Sequence, residues 1–344
     1  MFPFLNEPLK AILLGIYSVV GNYGWSIVLF TLLIRVLLMP LDAKSRKSMR
    51  NTQKLQPQIA ALQKKYKNDK EKLNQKTMEL YKKEHVSPLS GCLPMLLSLP
   101  ILFGMFGAMN ILAHEQIAGH VFTYLSGNEP QYQGWLWVKN IWMPDSPFAP
   151  LVPDENSIKQ VAPENWQAAY NQLDETQRAA LDTFNQSLGE EQRINYDFST
   201  KDTTTAAVNK MVSTLKTSVP LYAEKTEKVP GWQNINLFIV QLSIFVAYNG
   251  FFLLPLLAAL SQFMMSSSMP QTAAPAQDGK PGSSNFMKYF FPIFSLFICF
   301  SSNAGFALYW VTANLIAGAQ NVLLNKYFDA QEKKAATVGE GTVK

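Results

Sequence analysis

The chain has 344 residues, of which 48% are hydrophobic and only 16% charged, with 22 Phe, 13 Tyr and 7 Trp and a formal net charge of +5. A soluble domain carries about 25% charged residues and a disordered one few aromatics, so this composition excludes disorder and argues against an ordinary soluble enzyme. The charge is too mild to make nucleic acid a specific partner. Mean hydropathy is only −0.01, so the apolar residues must be gathered into blocks.

Residues 1–23 hold an apolar segment, 9–20, that contains Lys10 and ends at Gly21-Asn22. It is too short to cross a bilayer and lacks the basic start and small-residue cleavage site of a signal peptide, so it reads as an external interfacial helix. Residues 24–41 form a first span of nearly uncharged sequence, close to the 20 or so residues that about 30 Å of hydrocarbon requires. Residues 42–88 read as a cytoplasmic basic helical hairpin. Leu55, Ile59, Leu62 and Tyr66 make one stripe, Leu73, Thr77, Leu80 and Tyr81 another, with a turn at Asn68-Asp69. A second span covers 89–113.

Residues 114–236 form an extracytoplasmic loop or small helical subdomain, with polar helix expected over 163–189 and 203–216. Trp135, Trp137 and Trp142 suit a membrane interface. A third span is expected at 237–260, a flexible Met-, Ser-, Pro- and Ala-rich cytoplasmic linker at 261–285, and a hairpin of fourth and fifth spans at 286–325. Residues 326–344 make a cytoplasmic tail. Residues 42–88 carry 13 Lys/Arg against 5 acids, whereas 114–236 carry 9 against 15. Basic loops stay in the cytoplasm, which puts the N-terminus outside and the C-terminus inside a multi-pass membrane protein.

Arg35 is the most informative side chain. It lies about 10 Å inside the first span at 1.5 Å per residue, where a guanidinium costs at least about 2.5–3.5 kcal/mol unless hydrated or paired. Two readings are open: it snorkels to the inner surface, or it lines a hydrated cavity. Asn303, Trp310, Asn314 and Asn321 recur at +7, +4 and +7 on one helical face; Gln241, Ser243 and Asn249 put polar groups in the third span, and Thr31 sits one turn from Arg35. Such amides either glue helices together or line a groove. Cys92 and Cys299 sit in apolar stretches and read as small hydrophobes. His85, His114 and His120 offer no ligand set, and no phosphate loop, nucleophile elbow or zinc motif is present. No cofactor or metal is expected, and no covalent chemistry.

The runs GNYGWSIVLFTLLIRVLLMPLDAKSRKSM, LQPQIAALQKKY, YKKEHVSPLSGCLPMLLSLPILFGMF and ALYWVTANLIAGAQNVL strongly resemble the YidC-type membrane protein insertases, the bacterial relatives of the mitochondrial Oxa and chloroplast Albino proteins. The resemblance covers 5–113 and about 237–325. It lacks the large N-terminal β-domain of Gram-negative members, and its outer loop is longer than usual. It implies an all-α membrane protein with five transmembrane helices around a hydrophilic groove open to cytoplasm and lipid. Arg35 matches the groove arginine, Trp310 the aromatic of the last span, and Gln241 the polar residue of the third. The groove set is then Thr31, Arg35, Gln241, Asn249, Asn303, Trp310 and Asn314. The function implied is insertion of newly made membrane proteins in a bacterial plasma membrane. Nascent membrane proteins and anionic lipids are the partners, with the ribosome and the Sec translocon as further candidates. The alternative is a secondary transporter of a small solute, against which the absence of an internal repeat counts.

Overall fold

The structure, a computed structural model, describes residues 3–86, 93–237, 240–268 and 284–341. These hold thirteen α-helices and one two-stranded hairpin, so the protein is all-α in class. The chain divides into two compact units.

The first unit comprises Met1–Val28, Gly104–Leu256 and Phe297–Tyr309. Helix α1 (Pro3–Val20) docks on α5 (Leu93–Leu125). The two backbones approach so closely that a Cβ on Gly104 would lie 2.9 Å from atoms of Leu5 and Leu9, and one on Gly107 2.4 Å from the Asn6 amide oxygen. Lys10 Nζ and Glu115 Oε1 pair at 2.6 Å, both largely shielded. Asn6 and Lys10 of α1 thus face a protein partner that the sequence alone does not reveal. α5 also runs twelve residues beyond the expected end of the second span, because Ile117, Val121, Phe122 and Leu125 enter the core of the following subdomain. The expected start of that span, 89–92, and the expected end of the hairpin, 87–88, lie outside the described residues.

That subdomain is built from α6 (Glu155–Gln160), α7 (Pro163–Gln172), α8 (Glu175–Ser187), α9 (Lys201–Ser218) and α10 (Pro220–Lys225). Short polar caps start three of them, and a proline at the first position starts α7 and α10. Asp154 accepts from Ser157 N, and Asp174 and Thr200 make reciprocal boxes with Gln177 and Thr203. Phe122 is fully buried at the centre, ringed edge-on by Trp166, Tyr170, Tyr196 and Phe198. Trp142 is also buried, at 2% exposure, and packs edge-on to Tyr23; it is a core residue and not the interface residue that its type suggests.

The third helix corrects the sequence reading most. Where a span over 237–260 is expected, β1 (Ile235–Leu237) pairs antiparallel with β2 (Val240–Leu242), and Asn236 faces Gln241 in the register. Isolated bridges continue the extended path at Lys228↔Phe245 and Pro150↔Tyr248. Helix α11 is Leu253–Ser268. The reason is local. The stretch before 249 is rich in Ile, Val and Phe, which fit extended backbone; Asn249-Gly250 breaks it; and Pro255 suits a first helical turn. Hydropathy registers only that all of it is apolar.

The second unit comprises Leu29–Phe103, Leu257–Leu296 and Trp310–Lys344. α2 (Tyr23–Lys54) passes through Pro40 without ending, and is the one helix among the described residues long and apolar enough by itself to cross a membrane. α3 (Gln56–Lys65) and α4 (Lys70–Lys83) follow, the second capped by Asp69 accepting from Lys72 N. A shallow depression of about 410 Å³ lies between them, floored by Ala61, Leu62 and Leu80 and rimmed by Lys65, Lys76 and Lys83. α11 continues to Ser268, into the expected linker, of which 269–283 lie outside the described residues. α12 (Ser284–Ser301) and α13 (Ala304–Gly341) follow. α13 continues through the expected tail. Arg50 donates to Asp329 at 2.5 Å and Lys54 to Glu332 at 3.0 Å, and these pairs hold the end of α13 beside α2.

Candidate functional site

Four of the seven expected groove residues, Thr31, Arg35, Trp310 and Asn314, fall in the second unit. Thr31 is buried at 1% exposure; Arg35 and Trp310 are half-buried. Around Arg35 the outer face of α2 is apolar and open, with Leu32, Leu33, Val36 and Leu37 between 43% and 64% exposed. The main-chain oxygen of Arg35 accepts from Gln320 Nε2 at 3.1 Å. Pro40 has no N–H, so the carbonyl of Val36 loses its usual helical partner, and Gln320 adds a donor next to this weakened turn. The guanidinium also feels Asp42, two turns along the same face, which in turn feels Arg46. A search confined to the spans misses Asp42, because the acid lies just past the apolar run. Asn314 Nδ2 donates to Gln262 Oε1 at 3.1 Å and to Ser261 Oγ at 3.3 Å, so this amide joins α13 to α11.

Asn249, Asn303 and Gln241 fall in the first unit, and there the sequence reading needs correction. Asn249 is fully buried. Its Oδ1 accepts from Asn140 N at 2.7 Å, and its Nδ2 meets the carbonyls of Asn140, Met143 and Pro144 at 2.8–3.1 Å. Every polar position of the side chain is engaged by a loop about 105 residues away in sequence, so it is an architectural residue. Asn303 caps α13 by accepting from Phe306 N at 2.9 Å, while the N–H groups of Ala304 and Gly305 reach the carbonyls of Met143 and Ile141. Gln241 sits on β2 and not on a helix, and its side chain lies outside the described residues.

The residue that sequence reasoning overlooks is Asp145. Its carboxylate, 1% exposed, accepts from the main-chain N–H groups of Phe251, Phe252 and Leu254 and from Trp137 Nε1, at 2.7–3.3 Å. It therefore holds the N-terminus of α11, where a negative charge is favoured. The only sequence signal was an acid inside an otherwise Trp- and Pro-rich loop.

Exposed apolar side chains recur on α2, α11, α12 and α13, among them Leu37, Leu260, Phe297 and Leu323 at 56–65% exposure. Water-soluble surfaces rarely carry so many large apolar groups. With a half-buried arginine among them, they define an all-helical membrane protein. A profile of the family described as 60Kd inner membrane protein matches residues 15–185 and 210–333. The chain belongs to that family, as its motifs led one to expect, and is a bacterial membrane protein. It is 43% identical over 135 residues to the membrane protein insertase YidC of Clostridium perfringens, a match covering 39% of this chain and 50% of the relative. It is 47% identical over 120 residues to the protein of that name from Fusobacterium nucleatum, covering 35% and 51%. To that of Legionella pneumophila it is 50% identical over 103 residues, covering 30% and 18%. The chain thus spans about half the length, or less, of the curated relatives it matches.

Proposed function

We propose that the protein is a membrane protein insertase. Five helices, drawn from α2, α5, α11, α12 and α13, surround a hydrated groove open to cytoplasm and lipid, with the N-terminus outside and the C-terminus inside. Its substrates are nascent membrane proteins, and no covalent step is involved. The observation that carries this reading is Arg35, half-buried on a helix whose neighbouring side chains are exposed and apolar, in a chain whose relatives are named insertases.

The physical task is to move a polar segment past about 30 Å of hydrocarbon. A hydrated groove shortens that barrier. Arg35 attracts an acidic flank of the substrate, and Asp42 tempers the attraction so that binding stays weak enough for release. The substrate's apolar helix then partitions into lipid. For an anionic segment moving outward, the membrane potential adds about 2.3 kcal/mol per charge per 100 mV. Thr31, Trp310 and Asn314 belong to the same groove, and Asn314 also serves as helix glue.

The test is insertion of a single-span substrate into liposomes, in versions with an acidic or a neutralised translocated segment. Two unit charges at 4 Å gain about 1 kcal/mol even in bulk water and more at lower dielectric. Arg35→Ala should therefore lower insertion of the acidic version by about tenfold, the equivalent of 1.4 kcal/mol, and spare the neutral one. Arg35→Lys should keep much of the activity. Equal loss for both substrates on Arg35→Ala would refute charge recruitment.

A further inference from the structure

Residues 135–138 make a tight turn. Trp135 N donates to Val138 O at 2.8 Å, and Val138 N returns to Trp135 O at 3.0 Å. The two tip residues are Leu136 and Trp137. Leu136 has φ +50° and is 67% exposed. A leucine in the left-handed region is disfavoured by its Cβ, and glycine, asparagine or aspartate is the usual occupant of such a tip. This tip instead presents a large apolar side chain, held out from the body at a conformational cost.

The turn is also fixed from both sides. The Trp135 ring lies edge-on to Trp25 at 5.7 Å and seats against Gly24, where any Cβ would fall 2.1 Å from the ring. Trp137 is tied by its indole N–H to Asp145 at 3.0 Å. Trp25 is itself 51% exposed, and it heads the open apolar stripe of α2: Trp25, Leu29, Leu32 and Val36, spaced four, three and four apart, are 45–56% exposed. The tip thus adjoins the first turn of the helix that faces lipid, and Trp at that level marks the bilayer boundary.

We propose that Trp135-Leu136-Trp137 is a membrane-anchoring wedge, with Leu136 inserted at the headgroup–acyl boundary of the leaflet that α2 enters at its N-terminal end. Its partner is a lipid surface. The wedge couples the loop of the first unit to the bilayer beside α2. This rests on the reading that α2 crosses the membrane, and the experiment separates the two.

Nitroxide labels are placed, one at a time, at Leu136→Cys, Leu33→Cys and Asp182→Cys in a Cys92→Ala, Cys299→Ala background of the full chain. The protein is reconstituted in phosphatidylcholine–phosphatidylglycerol vesicles. Collision rates with oxygen, which enriches in hydrocarbon, are compared with those of a water-soluble nickel chelate. Oxygen should dominate at 33 and at 136, and the nickel chelate at 182, on the exposed face of α8. If 136 matches 182 while 33 reports hydrocarbon, the wedge is wrong although the span stands. If 33 also matches 182, the spanning of α2 fails and the wedge falls with it.

Discussion

Four N–H groups converge on Asp145, and three of them belong to the backbone at the start of α11. One carboxylate therefore supplies the acceptors that this helix end would otherwise leave unmet. Asp145→Asn turns one acceptor oxygen into a donor facing other donors. Hydrogen bonds to charged groups contribute about 1.5–3 kcal/mol each, so the variant should lose about 3 kcal/mol in thermal unfolding in detergent. Asn303 does a similar task for α13 with a single bond to Phe306 N. Asn303→Ala should cost about 1 kcal/mol, whereas Asn303→Asp should retain the cap and gain from the helix dipole. If Asn303→Asp is as damaging as Asn303→Ala in the same melt, the cap assignment is wrong.

Among the elements, the helical subdomain of the first unit has a built-in acid sensitivity. His120 on α5 is 7% exposed, its Nδ1 has no hydrogen-bond partner among the described residues, and its ring lies edge-on to Tyr132 at 5.0 Å. Burial pushes the imidazole down to about 4 from its ordinary 6.5. The unfolded chain therefore binds a proton at this site before the folded one does. Stability is unaffected above about pH 6.5 and falls as pH drops from there toward 4, by up to about 3 kcal/mol at 1.36 kcal/mol per unit. The protection factors of α9 amides, that is exchange rates corrected for their intrinsic pH dependence, should be lower at pH 5 than at pH 7.5. His120→Phe should abolish that part of the dependence; an unchanged pH response would assign it to other groups. Of the five helices of this subdomain the sequence predicts only polar helix over 163–189 and 203–216; it does not divide α7 from α8 or mark α6 and α10, although local cap signals lie at Asp154 with Ser157, Asp174 with Gln177 and Thr200 with Thr203. The docking of α1 is not readable in the sequence, because Gly104 and Gly107 have no meaning until Leu5 and Asn6 are placed against them.

For the molecule as a whole, the sequence by itself determined what depends on composition and on neighbours along the chain. The concentration of apolar residues declares a membrane protein, the run from Gly21 to Met49 and its companions declare the family, and the rarity of a charge at such depth singles out Arg35. Tertiary structure decided what depends on partners. Asn249 and Asn314 look alike in an apolar sequence, but the first is consumed by a loop about 105 residues away and the second bridges two helices. The apolar stretch around Val240 became a hairpin, and α11 began only at Leu253, under Asp145. Leu136 was one hydrophobe among many until its backbone and its exposure set it apart. The physical reason is that burial of apolar surface follows average composition, whereas each buried polar group must find a particular donor or acceptor. For Asn249 and for the backbone groups held by Asp145 those partners lie 105 to 109 residues away, beyond the reach of any local pattern.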